Sequence, residues 1–118
     1  MSIYLANVHD LLDGDATAQG TTVLIDRLWP RGVKKDDLGH DEWLKEAAPS
    51  DELRKWFGHD PDKFDEFASR YRGELAEGAE DIDKLRKLAD AGDVTLLYNA
   101  HDRDHNQAVV LKAWLEGK

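Results

Sequence analysis

The 118-residue chain contains no cysteine. This excludes thiolate nucleophiles, iron–sulfur clusters, cysteine-based zinc sites and disulfides, and it fits a reducing compartment such as the cytoplasm. Long apolar runs are also missing, since none approaches the ~20 residues of a membrane-spanning helix. The N-terminus lacks the basic flank and apolar stretch of a secretory signal. No membrane partner is expected. Only three prolines are present, and no repeat or linker divides the chain, so residues 1–118 read as one domain. A domain of this size buries a core without metal or disulfide staples. No GxGxxG, P-loop, GxSxG or HExxH pattern occurs. Of the five histidines, His9, His40, His59, His101 and His105, the last two are four apart, a spacing that suits a helix, but they read as part of a loop. Neither a metal nor a cofactor is expected.

Basic residues are outnumbered. Sixteen Lys and Arg face 25 Asp and Glu, a net charge of −9. Phosphate backbones repel such a chain at long range, which argues against a nucleic-acid partner. A small basic pocket for an anion remains compatible with that balance.

Ile3 to Val8, Thr21 to Asp26 and Val94 to Tyr98 are apolar and rich in β-branched residues, and they read as strands. A short helix is expected from Asp41 through Ala47, with Leu44 and Ala47 inward. Ser50 is a suitable N-cap for a helix from Asp51 to about Phe57, which Gly58 ends. Asp60-Pro61 opens the next helix as cap and first residue. In that helix Phe64, Phe67, Ala68, Tyr71 and Leu75 form an amphipathic stripe. Ile82, Leu85, Leu88 and Ala89 repeat the pattern up to Gly92, and a last helix runs from Ala108 to Leu115 with Val109 and Ala113 inward. Strands separated by helices predict a small three-layer α/β domain, a mostly parallel sheet flanked by helices.

Two strand ends carry the chemistry. Asp26-Arg27-Leu28-Trp29-Pro30-Arg31-Gly32 follows the second strand. In open α/β sheets ligands bind outside the carboxyl ends of the strands. Arg27 and Arg31 suit carboxylate or phosphate, and Trp29 offers a stacking face. Asp26 is either a general base or the partner that orients Arg27. A purely structural alternative pairs Asp26 with Arg27 and buries Trp29 in the core. The second strand end is Tyr98 to Gln107, where Arg103, His105 and Asn106 precede a helix whose first N–H groups favour an anion. Here the alternative is a solvated turn whose Asp and Asn residues cap that helix. A third cluster, Trp56-Phe57-Gly58-His59-Asp60-Pro61, reads as a helix-to-helix turn with His59 able to face a pocket.

Together, Arg27-Leu28-Trp29-Pro30-Arg31-Gly32, Ala48-Pro49-Ser50, Leu53 to Pro61, Val94 to Tyr98, His105-Asn106 and Ala108 to Leu111 closely resemble the YeaO-like family, domain of unknown function 488. The resemblance spans nearly the whole chain. It implies a small three-layer α/β domain, distantly similar to rhodanese and phosphatase domains. Broader members of that superfamily carry a cysteine at the end of the last strand and a Cys-His-Arg before the final helix. Here Tyr98 and Asp104-His105-Asn106 occupy those positions, so thiol-based sulfur or phosphoryl transfer is not available.

Three functions follow as expectations. The first is binding of a small phosphate- or carboxylate-bearing ligand through Arg27, Arg31 and Arg103, with Trp29 or Tyr98 as a wall and His105 and Asn106 nearby. The second is a thiol-independent enzyme on a phosphorylated or nucleotide-like substrate, with Asp26 or His59 as general base. The third is a protein- or nucleic-acid-interaction module using an exposed tryptophan.

Overall fold

The three apolar runs form the principal strands of the computed structural model, which describes residues 2–117. These are β1 (Ile3–Asn7), β2 (Thr21–Leu24) and β4 (Val94–Tyr98), with β3 (Glu42–Trp43) a two-residue edge strand. All pairings are parallel, in the order β1-β4-β2-β3. Because β4 lies between two strands and under helices on both faces, every one of its residues is buried. That is why it reads as a continuous apolar run rather than an alternating one.

Successive side chains point to opposite faces of a strand, and two cores result. Ile3, Val23, Ile25, Val94, Leu96 and Tyr98 enter the larger core. It is covered by α3 (Asp51–Phe57), α4 (Phe64–Ala76), α5 (Glu80–Ala91) and α6 (Gln107–Leu115). Ala6, Leu24 and Leu97 face the smaller core, under α1 (Val8–Leu12) and α2 (Lys35–Leu38). The architecture is therefore three layers, helices on both sides of a parallel sheet. Leu85, Leu96 and Leu111 are fully buried in the larger core, and truncating such a residue to alanine costs about 2–5 kcal/mol.

The expected caps form. Ser50 Oγ accepts the Leu53 N–H at 3.2 Å, and Glu74 of α4 in turn accepts the Ser50 N–H at 2.8 Å, tying α3 to α4. Gly58 ends α3 in the left-handed conformation, φ 53°. Asp60 caps a 3-10 turn, Pro61–Lys63, rather than α4 itself. Gly20 is required where β2 meets β4: its φ is +65°, and a Cβ there would strike the Asp93 carbonyl.

Three local expectations are corrected. Residues 41–47 are not a helix. The Asp41 carboxylate accepts the Thr22 N–H at 2.9 Å and the Thr22 hydroxyl at 3.1 Å, so the next two residues are laid along β2 as β3. Lys45–Ala47 is a 3-10 turn, and Leu44 and Ala47 still point inward. Val8 starts a helix rather than ending a strand, because Asn7 Oδ1 accepts the His9 N–H at 2.9 Å and caps α1. In α6 the fully buried residues are Ala108, Val110 and Leu111, with Val109 and Ala113 half-buried.

Candidate functional site

The carboxyl ends of β1, β2 and β4 open on one edge of the sheet, where the loops after them meet the C-terminal end of α3 and the start of α6. Together they enclose a cavity of about 610 Å³. The loop after β2 lines it with Asp26, Arg27, Trp29 and Arg31, and α3 with its C-terminal turn adds Arg54, Phe57 and His59. His9, Asn99, His101 and Gln107 close the remaining sides.

Asp26 is fixed through both its backbone and its side chain. The Trp43 indole N–H donates to its carbonyl at 2.8 Å. Its carboxyl accepts from Gln107 Nε2 and from the Asn99 backbone N–H. Burial pushes this carboxyl up from 3.8 to about 7, because these two neutral hydrogen bonds only partly offset the lost hydration. A carboxyl at that value changes charge near neutral pH.

Arg27 does not pair with Asp26. Its guanidinium donates to the Pro49 carbonyl at 3.2 Å and the Ala48 carbonyl at 3.1 Å, and it meets the Glu46 carboxylate at 3.1 Å. The acid that orients it thus comes from the 3-10 turn, and Arg27 locks that turn over the cavity. Arg31 is different: it is exposed, and among the described residues it has no hydrogen-bond or ion-pair partner. Arg54 meets Asp51 at 3.3 Å through one Nη, while its buried Nε has no acceptor among the described residues. The Asn99 side-chain oxygen is likewise buried without a donor.

The loop between β4 and α6 closes on itself. Asp102 accepts the Asp104 and His105 N–H groups, each at 2.9 Å, and its other oxygen lies 2.9 Å from His105 Nδ1. The Asp104 N–H leads the hydrogen bonds that hold the Asp102 carboxyl below its ordinary range. Asn106 is buried, and its Oδ1 accepts the Ala108 and Val109 N–H groups. The N–H groups expected to await an anion are therefore already occupied. Arg103 forms a bidentate pair with Asp10, at 2.7 and 3.1 Å, and does not line the cavity. Tyr98 points into the larger core, where burial raises its hydroxyl, and the His105 ring packs edge-on to Phe64 at 5.2 Å. Of the residues singled out in the sequence, the cavity gathers Asp26, Arg27, Trp29, Arg31 and His59, and it leaves out Tyr98, Arg103, His105 and Asn106.

His59 is exposed at the cavity and has a left-handed backbone, φ 58°. The rings of His9 and His101 stack with centroids 6.4 Å apart. Trp29 donates its indole N–H to the Val33 carbonyl at 2.6 Å and lies edge-on to Trp43 at 5.3 Å. It thus serves both the smaller core and the cavity. All four tryptophans are half-buried against one of the two cores, so none stands out as an exposed anchor. Among the described residues no group of three or more His, Cys, Asp or Glu side chains is placed to hold a metal, and no helix is long and apolar enough to cross a membrane.

Sequence reasoning missed Asn7, which is only 2% exposed and reaches across to the Ala100 carbonyl at 2.6 Å. A polar residue ending an apolar strand at the same sheet edge was the available signal. Arg54 and Gln107 carried no local signal, since each sits in a helix whose orientation depends on the rest of the chain.

The family model described as "Inactive DUF488-N3 subclade" matches residues 2–118. The uncharacterised protein YeaO of Escherichia coli (strain K12) is 41% identical over 115 residues, covering 98% of this chain and 97% of the relative. An uncharacterised protein of Mycobacterium tuberculosis (strain ATCC 25618 / H37Rv) is 41% identical over 116 residues, covering 98% and 95%. No solved structure matches the chain significantly. With a family match over nearly its full length and relatives of almost the same extent, the chain belongs to the YeaO-like DUF488 family, in the subclade described as inactive.

Proposed function

We propose that this domain binds a small phosphate- or carboxylate-bearing ligand in the cavity at the carboxyl edge of its sheet, in the cytoplasm and without thiol chemistry. One observation carries the reading. Among the described residues Arg31 has no partner, and it lines the same cavity as the incompletely bonded Arg54 and a carboxyl whose negative charge is suppressed near neutrality. Guanidinium groups bind planar and tetrahedral anions bidentately. Phe57, Phe67 and Trp29 supply the apolar wall typical of small-molecule sites. The subclade's description as inactive agrees with a binding role.

Calorimetry with inorganic phosphate and a panel of carboxylates tests this directly. Arg31→Ala is expected to weaken binding at least tenfold while leaving the unfolding midpoint in place. Equal affinity in wild type and variant would remove Arg31 from the site.

A second reading is favoured by Asp26 alone. A carboxyl near neutrality in a cleft is suited to general-base catalysis, and His59 stands at the same cavity. If the bound ligand is recovered chemically unchanged after prolonged incubation with stoichiometric protein, catalysis on that ligand is ruled out.

A further inference from the structure

We infer that anion binding in this cavity is coupled to uptake of a proton by Asp26, which makes the site an acid-favoured binder. The inference rests on the anion-binding reading above and adds how that site is regulated.

Among the described residues the Asp26 carboxyl has no ion-pair partner. Its hydrogen bonds come from Gln107 Nε2 and the Asn99 N–H, both neutral. The neighbouring arginine side chain turns away to Glu46 and to the carbonyls of Ala48 and Pro49. On the apolar side the wall is made by Phe57, Phe67, Pro49 and Ala100. An ionised Asp26 is therefore a half-buried negative charge held only by neutral hydrogen-bond donors. A ligand anion entering the same cavity adds a second one, and like charges in a low-dielectric site cannot both persist cheaply. Protonating the carboxyl removes the repulsion and supplies an O–H donor. Burial brings this carboxyl to about 7 before any ligand arrives, so the change falls at neutral pH.

Other charged groups face Asp26 from the packed elements. Its own loop contributes Arg27 and Arg31, and α3 contributes Arg54. Asp102 lies across the cavity and is held ionised. Tyr71 of α4 feels the Asp26 charge, but burial keeps its hydroxyl neutral. His9, His59 and His101 also line the cavity. The test therefore includes their substitution alongside that of Asp26.

The test is isothermal calorimetry with sulfate and with oxalate, whose charges stay fixed between about pH 6 and about pH 9, in buffers of different ionisation heat. Wild-type affinity is expected to fall by up to about tenfold per pH unit above about pH 7, with proton uptake on binding. Asp26→Asn imitates the protonated carboxyl. At about pH 8 it is expected to bind about tenfold more tightly than wild type and to lose the Asp26 share of the uptake. A variant with His9, His59 and His101 all changed to Gln is expected to keep that share. Should Asp26→Asn fail to fold, carboxyl NMR of the wild-type protein gives the same information, as sulfate is expected to raise the Asp26 midpoint. Parallel pH profiles for wild type and Asp26→Asn, or an unmoved midpoint with sulfate bound, would overturn the coupling and leave the anion site intact. Failure of both anions to bind any variant at any pH would instead overturn the anion reading itself.

Discussion

In the loop after β4, Asp102 satisfies two backbone N–H groups and a histidine, Asn106 occupies the first N–H groups of α6, and Arg103 grips Asp10. In the loop after β2, among the described residues, Arg31 reaches the cavity with no partner and Asp26 meets only neutral donors. The two loops sit at the same sheet edge and carry similar side chains. What separates them is whether each charge already has a partner within the chain. A paired arginine must surrender an existing hydrogen bond before it can bind an anion, whereas an unpaired one gives up only water. Electrostatic potential available to a ligand depends on leftover donors, not on the number of basic residues in a segment.

This contrast can be broken or sharpened by mutation. The largest effect is expected at Asp26. The folded protein holds its proton up to about pH 7, while the unfolded chain releases it near 3.8. Stability falls as pH rises through that interval and levels off above it. Asp26→Asn removes this loss, so at about pH 8 it is expected to exceed wild type by up to about 4 kcal/mol and to match it near pH 4. Urea denaturation at the two pH values measures this. Asn7→Ala deletes the strut to Ala100 and the cap of α1, and a loss of about 2 kcal/mol is expected by the same assay.

Binding gives the sharpest comparison of the loops. Arg31→Ala is expected to cost at least tenfold in anion affinity, about 1.4 kcal/mol, whereas Arg103→Ala leaves affinity unchanged. The reverse result would exchange the roles assigned to the two loops. Asn106→Ala is expected to lower the thermal midpoint by an amount equal to about 1 kcal/mol, the usual value of an N-cap. Least of all, His59→Gly relieves the left-handed backbone and is expected to add about 0.5–1 kcal/mol. If His59 touches the ligand, that gain comes with weaker binding.

Much of the fold was legible because it is local. The β-branched apolar runs, the Ser50 cap, the Gly58 stop and the Phe67-Tyr71-Leu75 stripe each record their structure within a few residues. β3 was hidden because its cause, the Asp41–Thr22 hydrogen bonds, spans two elements. The site was half legible for the same reason. A strand end rich in arginine marks the sheet edge, but whether Arg27 meets Asp26 or Glu46 depends on where a distant turn lands. At the helix start after β4 the sequence allowed either an anion or a capping side chain, and Asn106 provides the cap.

The position of β4 also governs how the molecule comes into being. β1 and β2 precede β4 in the chain, yet they do not pair with each other; each pairs with β4, which is made well after both. Until residues 94–98 leave the ribosome the sheet has no centre, and the earlier strands wait unpaired. Such long-range pairing slows folding and leaves apolar segments open to aggregation meanwhile. The cavity, whose walls come from the ends of all three strands, consequently cannot take shape before β4 is in place.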